Sequence, residues 1–271
     1  MTMRIYAIAV FLFLYVPIGI IVLFSFNAGR HASELRGLSV QWYGKALNNP
    51  FVGDAFVTSL IIAFSVAVLS SLMGTTAALA LQRMKGKMRV LFDGLIYISV
   101  MVPGIVIGIA TLVALVTVFD FLNPLLASLW PEGIKPPKLS MGYASVIAAH
   151  TLFTMSLVII LVRARIAGMD RALIEASMDL YATPWRTFYQ VTLPQIYPAI
   201  LAGFLLSFTF SFDDFIISFF VAGANTTLPI YIFASIRRGI TPEVNAIGTM
   251  VLAASLFLLM AAQFLLRDRK R

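Results

Sequence analysis

Residues 163–197, RARIAGMDRALIEASMDLYATPWRTFYQVTLPQIY, decide the fold. This 35-residue stretch lies between two long apolar runs, too polar to cross a bilayer and too apolar to be a bare solvated linker. Asp170 is placed to cap a helix in which Leu173, Ser177 and Leu180, with Met169 and Ala176 beside them, recur on one face at three- and four-residue spacings. Thr183-Pro184 is a second start signal, a hydroxyl cap with proline at the first helical position. Trp185, Phe188 and Val191 follow before Leu193-Pro194 ends the segment. Two short amphipathic helices joined by a tight turn are expected across one end of a helical bundle. By periodicity alone, an interfacial hairpin that merely connects spans fits equally well.

Working outward, the flanking runs are membrane spans. Of the 271 residues, 60% are hydrophobic and 12% charged, against roughly 25% charged in a soluble domain. Apolar runs at Ile5–Phe26, Thr58–Leu81, Val90–Phe119, Met141–Val162, Ala199–Ala222 and Asn245–Leu266 each reach or exceed the roughly 20 residues that a hydrocarbon core requires. The first run is too long for a signal-peptide core and has no small-residue cleavage site after it, so it reads as an uncleaved anchor. On alternate sides, Lys and Arg number 13 (Arg4, then four each in 82–89, 163–197 and 267–271) and seven (in 27–57, 120–140 and 223–244). The positive-inside rule therefore puts both termini and the 163–197 loop in the cytoplasm, with Gly29–Asn49 and Asn123–Pro137 outside. The formal charge of +8 is a topology signal and implies no nucleic-acid partner. The expectation is an all-α membrane protein of six transmembrane helices in one domain. An N-terminal span (1–27) precedes a five-span core (58–266), with membrane lipid around it.

Cysteine is absent, and no phosphate loop, G-x-G-x-x-G turn or H-E-x-x-H helix occurs, so no nucleotide or metal site is visible in the sequence. Glu175-Ala176-Ser177, Asp179-Leu180-Tyr181-Ala182, Val191-x-Leu193-Pro194 and Pro198 resemble the EAA loop of ABC importer permeases, roughly E-A-A, three residues, G-A, then I/V-x-L-P. The resemblance implies a type I importer permease fold. It also implies that Glu175, Ala176, Ser177, Asp179, Tyr181, Ala182, Leu193 and Pro194 form the element that docks on a separate ATPase. Tyr181 stands where the family usually has Gly, at a turn suited to positive φ that a tyrosine adopts only at about 1–2 kcal/mol. Either the turn is reshaped or Ala182 and Thr183 absorb the change. Further segments, Ser211–Phe215, Thr226–Pro229 and Arg238–Ala246, resemble the second permease subunit of spermidine/putrescine importers of the bacterial inner membrane. Such a chain is no enzyme: ATP and magnesium are expected only in an ATPase dimer, alongside a homologous second permease and an external solute-binding protein.

Asp213 and Asp214 lie 14 and 15 residues beyond Ala199, roughly 21 Å up a continuous fifth span. A carboxylate near mid-bilayer costs on the order of 2.5–3.5 kcal/mol, so the pair should have a role. On that helix Ser207, Ser211, Asp214 and Ser218 form a polar stripe with Gly203 one turn below. Phe204, Phe208, Phe212, Phe215 and Phe219 form an aromatic one, and Asp213 diverges from Asp214 by about 100°. Asp214, Asp213, Ser211, Ser207 and Phe210 are the candidate pathway residues for a small cation, through Coulomb attraction and cation–π contact. The alternative is that both acids bind helix ends or Arg237 and Arg238 and hold a gate together. A proton-coupled carrier would also use intramembrane acids, but it leaves the 163–197 pattern unexplained. A membrane protease needs acids facing each other across a site. His150, beside Thr151 and Thr154, reads as a neutral histidine hydrogen-bonded between helices. Pro103-Gly104 predicts a kink in the third span, and Gly108 close packing. Leu228–Arg238 predicts a short helix, with Thr241-Pro242-Glu243 starting the last span.

Overall fold

The computed structural model describes residues 2–31, 34–131, 133–239 and 241–267. The basic tail 268–271, expected inside, lies outside the described residues. The chain is all-α: α1 (Thr2–Ser25), α2 (Gln41–Leu47), α3 (Pro50–Arg83), α4 (Lys87–Met101), α5 (Gly104–Leu129), α6 (Tyr143–Ala167), α7 (Ala172–Asp179), α8 (Pro184–Thr187), a π-turn (Phe188–Thr192), α9 (Leu193–Asp213), α10 (Ile216–Val221), α11 (Leu228–Arg238) and α12 (Pro242–Arg267). Among the described residues the only β pairing is an isolated bridge, Asn27 with Leu38.

Among the described residues five helical stretches are long and apolar enough to cross a membrane: Met3–Ser25, Pro50–Arg83, Gly104–Leu129, Tyr143–Ala167 and Pro184–Asp213. The sixth predicted span is α12, 26 residues long, whose described apolar part is Pro242–Phe257. The third span differs from expectation. Pro103 lacks an N–H and pushes Val102 into extended backbone (φ −70°, ψ 131°), so the run divides into α4 and α5 and the crossing helix is Gly104–Leu129. That helix passes through Pro124 and takes Asn123 to Leu129 out of the expected loop.

Two units divide the chain: Met1–Ala55 with Tyr231–Arg271, and Phe56–Ile230. In the first, α1 packs on α12, as does α2. The buried Asn27 side chain ties the following loop by accepting from Gly29 and Arg36 N–H and donating to the His31 and Glu34 carbonyls. Glu243, in the first turn of α12 as expected, accepts from Asn49 Nδ2 at 3.0 Å.

The second unit is built around α6. Val158 sits between two glycines: a Cβ on Gly74 of α3 would lie 2.7 Å from its Cβ, and one on Gly203 of α9 would lie 3.2 Å from its methyls. Small residues thus let three backbones approach, as membrane helices require where no water drives them together. Along the antiparallel α6–α9 seam, Val158 meets Gly203 and, eight residues further on each helix, His150 meets Ser211. On the α3 side Ser70 Oγ and Thr154 Oγ1 are 2.6 Å apart. Gly108 of α5 admits Phe220 of α10 in the same way, with 2.8 Å to a notional Cβ.

Candidate functional site

The 163–197 loop is folded, as its spacing predicts. Asp170 Oδ1 accepts from Ala172 N–H (2.9 Å) at the start of α7. Thr183, in extended backbone, accepts from Arg186 N–H at 3.4 Å with Pro184 at the first position of α8. Between them α7 ends in a full Schellman arrangement, Ala182 N–H to Ser177 O (3.1 Å) and Tyr181 N–H to Met178 O (2.9 Å). Its left-handed residue is Tyr181 itself, with φ 59°. The turn is neither reshaped nor displaced onto Ala182 or Thr183. Tyrosine takes the glycine conformation.

Rotation of α7 differs from the periodicity reading. Ser177 is turned inward, with its Oγ 2.9 Å from Thr187 Oγ1, and Ile174 lies partly buried beside it. Leu173 and Leu180 point outward, Leu180 at 82% exposure and Tyr181 at 96%. The hydroxyl pair to α8 sets the rotation, and it selects the face one residue away from the one suggested by leucine spacing. Glu175, Ala176 and Asp179 are exposed, as are Met178, Trp185 and Tyr189; Ala182 and Leu193 are half-buried and Pro194 is exposed. The outcome is an apolar ridge carrying two carboxylates, Glu175 near its start and Asp179 at the end of α7, bordered by a cleft of about 720 Å³ lined by Arg83, Arg89, Arg163, Arg171 and Glu175. Arg163 is held by Asp93 of α4, which Arg89 also approaches at 3.8 Å.

Leu193-Pro194 does not end the second loop helix. Leu193 N–H reaches back five residues to Phe188 O through the π-turn. Pro194 then falls in the first turn of α9, where its missing N–H matters least. The helix from Pro184 to Asp213 is therefore continuous.

The fifth span breaks where it was expected to continue. Asp213 is the last residue of α9, Asp214 is extended (φ −70°, ψ 121°), and α10 restarts at Ile216. No proline or glycine marks the break. Asp214 Oδ2 instead accepts Ser218 N–H (2.9 Å), one of the donors freed at the start of α10, and lies 3.2 Å from His150 Nε2. The same Nε2 is 3.2 Å from Ser218 Oγ, and His150 Nδ1 is 2.8 Å from Ser211 Oγ. His150 is 1% exposed and Asp214 21%. Ser211, Asp214 and Ser218 thus do converge, on a histidine of another helix and across a break that the helical wheel did not contain. Of the other candidates, Ser207 is fully buried with an unpartnered Oγ. Asp213 is exposed, and Phe210 packs edge-on to Phe153 of α6 (5.7 Å) with 45% of its surface exposed. In the aromatic stripe Phe208 stacks on Phe212 at 6.0 Å, and Phe215 lies 5.4 Å from Phe219. Among the described residues no group of three or more His, Asp or Glu is placed to hold a metal ion.

Comparison with known proteins finds the same architecture. Residues 70–271 match the family described as binding-protein-dependent transport system inner membrane component. The chain is 36% identical over 247 residues to the putrescine transport system permease protein PotI of Escherichia coli K12, covering 90% of this chain and 83% of that one. It is 34% identical over 259 residues to the spermidine/putrescine transport system permease protein PotC of Haemophilus influenzae, covering 95% and 93%. Among solved structures, a bacterial ABC transporter that imports the acidic polysaccharide alginate superposes with TM-score 0.77 at 16% identity, covering 98% of this chain and 94% of that one.

Proposed function

The chain belongs to the family of binding-protein-dependent transport system inner membrane components, and from that premise we propose that this permease subunit passes a polyamine, putrescine or spermidine, received from an external binding protein. As a permease subunit of an ABC importer it lies in the inner membrane and crosses it several times, and ATP is hydrolysed by a separate subunit. A homologous second permease and two ATPase copies complete the proposed assembly. Both termini and the 163–197 loop face the ATPase side, as the 13-to-7 basic asymmetry supports.

The observation that carries the substrate reading is the helix break at Asp213–Asp214. An interrupted membrane helix opens its backbone and places side chains toward a cavity or partner instead of lipid. Here the interruption carries two adjacent carboxylates. Asp214 commits Oδ2 to Ser218 N–H and His150, leaving Oδ1 to meet an ammonium group, and the neighbouring phenyl rings add cation–π attraction. The exposed Asp213 offers a second charge one residue earlier, suited to a solute bearing more than one ammonium. Glu175, Ala176 and the ridge formed by Leu180, Tyr181 and Trp185 supply the ATPase contact.

The test is Asp214→Asn in the assembled transporter. Asparagine keeps a carbonyl oxygen for Ser218 N–H but removes the charge. Polyamine uptake should fall while assembly and ATP hydrolysis persist, and Asp214→Lys should abolish uptake through like-charge repulsion. Undiminished uptake in Asp214→Asn would remove the carboxylate from the pathway.

A further inference from the structure

We propose that His150 is the positioning residue for Asp214: its Nε2 holds the carboxylate at the helix break and fixes the direction in which the remaining oxygen meets a passing cation. The inference rests on the pathway reading of Asp214 and deepens it.

Three features single out His150. It comes from α6, 64 positions before Asp214, and both ring nitrogens are engaged: Nδ1 at 2.8 Å from Ser211 Oγ before the break, and Nε2 at 3.2 Å from both Asp214 Oδ2 and Ser218 Oγ after it. One side chain therefore spans the interruption and holds the end of α9 against the start of α10. It is 1% exposed, so its two ring nitrogens pair with these three side chains and not with water. Finally, the backbone that carries the ring is braced within α6, where Thr154 Oγ1 donates to the His150 carbonyl (2.8 Å) and meets Ser70 Oγ of α3.

A ring that donates from Nε2 to Asp214 and accepts at Nδ1 from Ser211 O–H aims the carboxylate without cancelling its charge. Few other charges compete. On the helices packed against α6, the charged groups of α9, α10 and α5 are Asp213 and Asp120. On α4 they are Lys87, Arg89 and Asp93, the last held by Arg163 toward the far end of α6. From Thr58 to Leu81, α3 carries none, and Tyr143 of α6 is bonded to Thr58.

Glutamine and asparagine separate the two nitrogens, since a Gln amide reaches the place of Nε2 and an Asn amide that of Nδ1. Uptake per ATP hydrolysed is measured in the full transporter with its binding protein at one fixed pH. His150→Gln, which keeps a donor at the place of Nε2, should stay within about twofold of wild type, whereas His150→Asn should fall by at least about threefold because Asp214 is untethered. Co-purification of the ATPase checks assembly. Should His150→Asn fail to assemble, Ser218→Ala, which removes one hydroxyl partner of Nε2 but keeps the backbone N–H, should lower uptake per ATP instead, and unchanged uptake there overturns the positioning role. Equal loss in His150→Gln and His150→Asn overturns it as well. Asp214→Asn run alongside keeps the two readings apart. Normal uptake there removes the pathway, while reduced uptake there with unchanged His150 variants removes this inference alone.

Discussion

Replacing Tyr181 by glycine should strengthen the turn that ends α7 and weaken the contact the turn makes. In the structure Tyr181 holds φ 59° with 96% of its surface exposed, so its ring contributes no packing within the chain to offset the backbone conformation. Left-handed geometry costs a non-glycine residue about 1–2 kcal/mol, and glycine returns about 0.5–1 kcal/mol of that as extra freedom in the opened state. Roughly 0.5–1 kcal/mol remains in favour of Tyr181→Gly, an opening equilibrium shifted about two- to fivefold. Hydrogen exchange on the isolated permease reads it directly at the amide of Ala182, which bonds Ser177 O. Protection there should rise by that factor. In the assembled transporter the same substitution removes an exposed aromatic ring beside Leu180 and should lower ATPase retention. A strained residue persists where its side chain has work at a contact. Protection that is unchanged or reduced in Tyr181→Gly would show that the turn is not strained at this position. ATPase retention equal to wild type would show that the ring is not part of the contact.

Glu175→Lys and Ala176→Trp, both on the exposed face of α7, should reduce ATPase co-purification and solute-stimulated hydrolysis while leaving the permease folded; normal values in both would make the loop a plain connector. Gly74→Ala places a methyl 2.7 Å from Val158 Cβ and should cost about 1–3 kcal/mol, lowering the unfolding midpoint in detergent. A midpoint equal to wild type would mean that the α3–α6 contact opens freely. Since the parent lacks cysteine, Lys85→Cys should resist an impermeant thiol reagent applied from outside and Leu38→Cys should react. Labelling of Lys85→Cys would invert the topology.

Local chemistry wrote much of this structure into the sequence. Most span positions follow from hydropathy, the caps at Asp170 and Thr183 from side-chain type, and the bend at Pro103 from a ring that acts on its own neighbour, although the full interruption at Val102 goes further than the kink expected there. The features that escaped depend on distant partners. Nothing local to Asp213-Asp214 stops a helix. The break is supported by His150, whose contribution is visible only once α6 and α9 are antiparallel and in register. The face of α7 was ambiguous because Leu173/Ser177/Leu180 and Ile174/Ser177 are both valid helical spacings, and a single hydroxyl bond to Thr187 decides between them. Leu193-Pro194 reads as a terminator only under a rule that assumes α-helical bonding. A π-turn immediately before it moves the reference carbonyl back by one residue.

That π-turn makes the loop's second helix and the fifth span a single strut. Its 30 residues from Pro184 to Asp213 measure about 45 Å, so a tilt of about 5° at the Pro184 end sweeps the Asp213 end through about 4 Å. Had Leu193-Pro194 been a stop, such a push would have dissipated in a hinge. As built, a tilt beside Trp185 arrives at Asp213 as an enlarged displacement, and the compliant joint is the next residue, Asp214, where His150 and Ser218 form a fastening that a few ångströms of travel can strain or release.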